Sequence, residues 1–414
     1  MPLNNWILYP VLYITMVAVT FYIITFIYSK KEDKEKKFFS DEELPFVSVI
    51  IPAYNEEGSV KGTLDSILDS DYPGGFEVIF VNDGSSDNTF SKANNYNDPR
   101  LRVFDKENGG KASALNFGIS KAKGDFVISM DADTFVDKDS MKKMMRYFKD
   151  ESVMSVTPAM TIYKPQSIWQ RVQHIEYLMG IFLRKVFASL NSIYIAPGAF
   201  SAYRKSFFDK YGGYEEGNIV EDLELAMRIQ YHGFRTENSP TARIRTIGPR
   251  TFKPLLKQRL RWYYGLIQNF WRYRKMISKD YGDMGMVVMP IGWTIIFFSM
   301  FILVYWVIRI INTVQAEMAL FAHLGYEFSN FFEFSKESFY IAFLNIVSDP
   351  LTWFALLSLA ILIFYLVYSH RKVGKIYKPF TSVFAFVFLF MPLFAFWWIV
   401  SFFYLGFSKV PKWR

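Results

Sequence analysis

A chain of 414 residues has room for one sizeable globular domain plus further elements, or for two modest domains. A hydrophobic share of 51% and an aromatic share of 19% are heavy for a soluble enzyme, yet charged residues still reach 21%, which points to a soluble part joined to a membrane part. The lack of cysteine excludes disulfides, thiolate metal sites and a Cys nucleophile. The net charge of +8 fits Lys/Arg-rich membrane flanks at least as well as it fits nucleic acid, and no nucleic-acid partner is expected.

Residues 6–28 carry no charge, and about 20 apolar helical residues cross a bilayer. The run is too long for a signal peptide and lacks a basic n-region and a small-residue cleavage site, so it reads as an uncleaved anchor within residues 1–29. Lys30, Lys31, Lys34, Lys36 and Lys37 follow and place that flank in the cytoplasm.

An alternating pattern comes next. Short apolar runs at 46–52, 76–81, 101–104 and 125–130 are separated by helical stretches, among them 57–69 and 110–121. Such runs predict parallel strands joined by right-handed crossovers, in a Rossmann-like α/β sheet. Ligands of these sheets bind beyond the carboxyl ends of the strands. The polar residues there are Tyr54-Asn55-Glu56-Glu57, Asn82 to Asp87, and Asp131-Ala132-Asp133. Three acidic clusters on one edge suit a divalent cation and a nucleotide diphosphate.

The pattern D-x-D occurs three times, but only Asp131/Asp133 ends an apolar strand. Two carboxylates so spaced can share a hard Mg²⁺ or Mn²⁺ ion that grips phosphate oxygens. The Asn82 to Asp87 run has good turn chemistry, and a carboxylate there is also able to accept the imide hydrogen of uracil. Gly109-Gly110-Lys111 reads either as flexible backbone with a cation for a diphosphate or as a helix start with an exposed Lys.

Two amphipathic stretches follow. In 166–190, Trp169, Val172, Ile175, Leu178 and Phe182 fall at helical spacing, with Arg171, Glu176 and Arg184 elsewhere; core packing competes with an interfacial position. Residues 252–275 mix Phe252, Trp262, Tyr263, Tyr264, Phe270 and Trp271 with seven Lys/Arg, which suits the headgroup layer. Three apolar stretches close the chain, at about 284–311, 351–369 and 380–407, the last kinked or broken at Pro392. The basic 370–378 loop belongs inside, and 312–349, with one Lys and no Arg, outside. The basic tail KVPKWR dissents; a re-entrant last segment would resolve it, leaving the helix count open by one.

The succession PAYNEE, VNDGSSD, NGGKASALNFG, MDAD, VEDLELAMR and QRLRW resembles the inverting family-2 glycosyltransferases of GT-A fold. It is most similar to the processive branch: poly-N-acetylglucosamine, hyaluronan, chitin and cellulose synthases. The resemblance spans about 46–265 and divides the chain into the anchor, a cytoplasmic transferase domain over 30–249, interface helices over 250–283, and about three membrane helices over 284–414. It implies that Tyr54, Glu56 and Asp83 hold the uridine of a UDP-sugar, with Lys111 nearby, and that Asp131 and Asp133 handle diphosphate and a Mn²⁺ or Mg²⁺ cofactor. Asp222 aligns with the Asp of the family's T-E-D motif, the catalytic base, and Glu221 is the nearest alternative. Val220 stands where the family usually has Thr.

Gln258, Arg261 and Trp262 form the Q-x-x-R-W signature, in which the Arg binds the diphosphate and the Trp stacks on the acceptor sugar. Gly198-Ala199-Phe200-Ser201 resembles the segment lining the acceptor end, so Gly198 and Phe200 are expected there. The resemblance implies a growing polysaccharide as acceptor, N-acetylglucosamine as first candidate sugar, and extrusion through the membrane part; an accessory subunit or oligomer stays open. Two rivals are a non-processive transferase acting on a polyprenyl phosphate, and a nucleotide-sensing membrane protein with a dead transferase domain.

Overall fold

The computed structural model describes residues 8–32, 36–323, 336–374 and 377–407. Helix α1 (Leu8–Glu32) opens the chain. Then come β1 (Val47–Ala53), α2 (Val60–Leu68), β2 (Phe76–Asp83), α3 (Thr89–Asn94), β3 (Leu101–Lys106), α4 (Lys111–Lys121) and β4 (Phe126–Met130). Strands β1, β2 and β4 are buried along their whole length, which is why their sequences are continuous apolar runs rather than alternating ones. β1 pairs in parallel with β2 and β4, and β2 with β3, as the sequence pattern predicts.

The second half of the sheet is less regular. It comprises β5 (Thr134–Val136), α5 (Ser140–Met145), β6 (Val153–Ile162), α6 (Ile168–Ser189), β7 (Phe200–Arg204), α7 (Lys205–Tyr211), α8 (Glu221–Tyr231) and β8 (Arg235–Thr246). One eight-stranded sheet results, in the order β3-β2-β1-β4-β7-β6-β8-β5, with β7 antiparallel to both β4 and β6, and β5 antiparallel to β8. This is a GT-A-like, mostly parallel sheet.

Helix α6 starts from a capping box: Ser167 Oγ accepts from the Gln170 amide at 3.2 Å and Gln170 Oε1 accepts from the Ser167 amide at 3.3 Å. Next is α9 (Phe252–Arg272), then α10 (Met289–His323), α11 (Lys336–Ser348), α12 (Pro350–Val373), α13 (Pro379–Ala385) and α14 (Met391–Gly406). α6 packs on β6 and β8 on one side and on α1, α12 and α13 on the other, so core packing and contact with the apolar helices are both realised. Ile175 and Leu178 of α6, Leu255 and Tyr263 of α9, Leu366 of α12, and Phe390 and Trp397 share one buried cluster.

Among the described residues, four spans are long and apolar enough to cross a membrane: Leu8–Ser29, Met284–His323, Pro350–Val373 and Pro379–Gly406. Pro392 does not break the last one. A π-helical segment, Phe386–Phe390, joins α13 to α14, and wide turns of this kind take up the backbone disruption a proline causes. Residues 312–323 and 336–348, read from sequence as parts of an external loop, are helical, while 324–335 and the tail from 408 lie outside the described residues.

Candidate active site

The carboxyl ends of β1, β2 and β4 bring the sequence clusters together. Asn55 adopts a left-handed conformation (φ 55°), and its carboxamide oxygen accepts from the Ser86 amide at 2.9 Å. The Glu56 amide donates to Thr89 Oγ1 at 2.7 Å and the Asn55 amide to Ser85 Oγ at 3.0 Å. The 54–57 loop is thereby laced to the loop after β2, with the Tyr54 side chain exposed and Glu56 Oε2 accepting from Ser59 Oγ.

Asp83, at the end of β2, is buried. Its Oδ1 accepts from Lys106 Nζ at 2.7 Å and the Gly109 amide at 3.0 Å, and its Oδ2 from the Gly110 amide at 2.8 Å. The carboxylate therefore shapes the Gly109-Gly110 turn, where Gly110 needs its φ of +85° to launch α4. Lys111, the first residue of α4, points into the site.

Lys111 Nζ lies 2.6 Å from Asp131 Oδ1 and 3.2 Å from Glu221 Oε1. Burial works to lower its pKa, but Asp131, Glu221 and Asp222 outweigh it and hold the ammonium firmly charged. Of the two sequence readings of this lysine, the helix start forms, but the side chain is not exposed: it turns inward onto the carboxylates. Asp131 and Asp133 occupy the β4–β5 turn, fixed by the Asp131 amide donating to Ala199 O and by Thr63 Oγ1 donating to Ala132 O. Burial, then Asp131 and Glu56, push the Asp133 carboxyl up to about 7.

Glu221 and Asp222 begin α8, whose N-terminus favours negative charge. Asp222 Oδ2 accepts from the Gly198 amide at 2.9 Å and its Oδ1 from the Leu223 amide at 2.8 Å. Burial and the neighbouring Glu221 raise its pKa to about 6, against Lys111 and the Gly198 hydrogen bond. A Cβ at position 198 would lie 2.8 Å from Lys111 Nζ and 3.4 Å from Asp222 Oδ2, so a side chain there would have to displace the Lys111 ammonium from the carboxylates. Val220 packs on α9: a Cβ on Gly265 would stand 2.2 Å from Val220 Cγ2.

Arg261 feels Glu221, Asp222 and Asp131, which oppose the lowering of its pKa by burial, so α9 delivers a second cation to the cluster. Gln258 sits one turn earlier, its Oε1 buried with no hydrogen-bond partner among the described residues. Trp262 is partly buried and touches both the sheet core and the apolar helices. Phe200 is a correction: as the first residue of β7 its side chain is fully buried in the core of the sheet, whereas Gly198 lies ahead of the strand, where its backbone amide meets Asp222. Sequence reading missed Arg259 and Glu176, paired across α9 and α6, and Tyr177, within electrostatic reach of Arg261 and Asp133.

For a divalent ion, the donors present are hard carboxylate oxygens. No group of three or more His, Cys, Asp or Glu converges among the described residues. Two carboxylates with phosphate oxygens from a donor substrate are the usual way Mg²⁺ is held in nucleotide sites, so Asp131 and Asp133 fit such an ion.

The sequence pattern of the family described as glycosyl transferase family 2 matches residues 48–212. A poly-beta-1,6-N-acetyl-D-glucosamine synthase of Staphylococcus epidermidis is 31% identical over 330 residues, covering 76% of this chain and 75% of its own. The chain belongs to glycosyltransferase family 2. The transferase is also 34% identical over 276 residues to the synthase of the same name from Staphylococcus aureus strain MSSA476, covering 63% and 65% of the two chains. A mannosyltransferase from Pyrobaculum calidifontis, solved with GDP-Man and Mn²⁺, superposes with a TM-score of 0.57 at 19% identity, over 96% of this transferase and 98% of that chain, which shows a shared fold.

Proposed function

We propose that this protein is a membrane-integrated, inverting glycosyltransferase that polymerises N-acetylglucosamine from UDP-N-acetylglucosamine into a β-linked polysaccharide and passes it through its own membrane helices. The observation that carries this reading is the cluster of Lys111, Asp131, Glu221, Asp222 and Arg261, set beside Trp262 at the junction with the apolar helices. The names of the staphylococcal relatives support the sugar.

The chemistry is a single displacement at the anomeric carbon. Asp222 takes the proton of the attacking hydroxyl, and its raised pKa of about 6 makes it a better base than an ordinary carboxylate while leaving it ionised at neutral pH. Its two backbone hydrogen bonds hold it in place. Arg261 and Lys111 bring positive charge to the departing diphosphate. Asp131 and Asp133 would hold a Mn²⁺ or Mg²⁺ ion, whose charge would stabilise the same leaving group; the mannosyltransferase of like fold was solved with Mn²⁺.

Tyr54, Glu56 and Asp83 border the uridine position. An ionised carboxylate has about four acceptor sites, and Asp83 spends three of them on Lys106, Gly109 and Gly110, leaving one for a base N–H. Gln258 and Gly198 line the region between donor and acceptor, and Trp262 offers the acceptor sugar a stacking face. The basic flanks support a cytoplasmic transferase domain over residues 30–249, and the four apolar helices among the described residues support four membrane spans.

The test is to incubate purified protein in lipid with a panel of UDP-sugars, measuring released UDP and the length of the product. UDP release from UDP-N-acetylglucosamine with a long product is expected. A single sugar added to a polyprenyl phosphate would establish the non-processive reading instead, and binding without turnover the nucleotide sensor.

A further inference from the structure

Arg259 is one of the largest fully buried side chains among the described residues, 1% exposed, and it lies three residues before Trp262 on α9. Both of its terminal nitrogens donate to Glu176 of α6, at 2.9 and 2.6 Å, in a two-pronged contact across 83 residues of sequence. Its guanidinium carbon stands 4.3 Å from the centre of the Trp262 ring, and 5.8 and 5.9 Å from those of Phe390 and Trp397. Trp262 itself remains partly exposed.

A buried ion pair is weak ground for stability, because desolvating two charges offsets most of their attraction. The arrangement has another use. Residues three apart on a helix are neighbours, and an arginine held flat by a bidentate carboxylate presents a rigid plane to the ring beside it. A lysine supplies the same charge but neither the fork nor the plane.

We infer that Arg259, clamped by Glu176, is a positioning residue for the acceptor. It fixes the plane of Trp262 on which the acceptor sugar stacks, and through Phe390 and Trp397 it references that plane to the last apolar helix. This rests on the reading of Trp262 as the acceptor platform.

The test compares the full-length parent with Arg259→Lys, Glu176→Gln and Trp262→Ala in lipid nanodiscs, supplied with UDP-N-acetylglucosamine. Three quantities are read: UDP affinity, total UDP released, and the share of transferred sugar found free rather than in polymer. Arg259→Lys should keep UDP affinity within about twofold while raising the free-to-polymer ratio about tenfold, a change typical of losing one stacking contact. Glu176→Gln, which keeps shape and one prong, should move the ratio the same way by less. An Arg259→Lys enzyme with the parent's ratio would overturn the inference, since charge alone would then suffice. Loss of UDP affinity in step with polymer would also overturn it, marking a general structural role. A Trp262→Ala enzyme that polymerises like the parent would overturn the platform reading itself, and the inference with it.

Discussion

Replacing Asp222 with Asn tests the base most directly, and the structure sets the expected size of each effect. The carboxylate accepts one hydrogen bond on each oxygen, from Gly198 and from Leu223. Asn has a single acceptor oxygen, so one amide is left facing an NH₂ group, a loss of about 1.5–3 kcal/mol for a bond to a charged acceptor. Against this, burial and Glu221 lift the Asp222 pKa from 3.8 to about 6, so the fold disfavours the charge by about 3 kcal/mol at neutral pH. The two terms offset, and the variant should match the parent's stability to within about 1–2 kcal/mol. Transfer should nevertheless fall by about 10²–10⁴-fold, a barrier increase of roughly 3–5 kcal/mol. UDP release in a coupled assay reads the rate, calorimetric UDP binding reads the donor pocket, and thermal melting reads the fold. Near-parental transfer would move the base elsewhere, with Glu221 nearest. Loss of UDP binding would make Asp222 structural and refute the division of labour in the site.

Three further outcomes are expected. Because Asp222 must be ionised to act and titrates near 6, kcat/KM should be level above that pH and fall about tenfold per unit below it; a flat profile down to pH 4.5 would exclude Asp222 as the base. Chelation should abolish transfer and Mn²⁺ or Mg²⁺ restore it, and since Asp133 titrates near 7 and a ligand must be deprotonated, the Mn²⁺ concentration for half-maximal rate should rise as pH drops from 8 to 6. Full activity in EDTA would remove the ion from the mechanism. Gly265→Ala should cost about 1–3 kcal/mol in melting experiments by overpacking Val220, and should reduce kcat more than stability, because Val220 directly precedes Glu221 and Asp222. A second change, Val220→Ala, should restore much of both; failure to do so would mean the contact does not position α8.

Much of this was readable in sequence where burial is total. β1, β2 and β4 are hidden on both faces, so their composition announces them. β8 escaped notice because its buried positions include Glu237 and Asn238, satisfied by Lys36, Arg235 and Thr157, which no apolar pattern marks. At the site, the polar clusters at strand ends were picked out from type and place, and the fold brings them to one edge of the sheet. Phe200 was misplaced because the sequence does not show that β7 starts there, with Gly198 left in the preceding turn. Arg259 and Glu176 looked like ordinary polar positions of two amphipathic helices; only the packing of α6 on α9 reveals them as partners.

The buried cluster that joins α6 and α9 to α12 and α14 means that the catalytic half has no clean edge at which to be cut away. Excising it would bare Ile175, Leu178, Leu255 and Tyr263 to water, at about 1.5–3 kcal/mol for each large side chain, and would loosen the helix that carries Arg261 and Trp262. Catalytic competence should therefore track the annular lipid: a harsh detergent that prises α14 from α9 would silence the enzyme while the nucleotide half still melts as a folded protein.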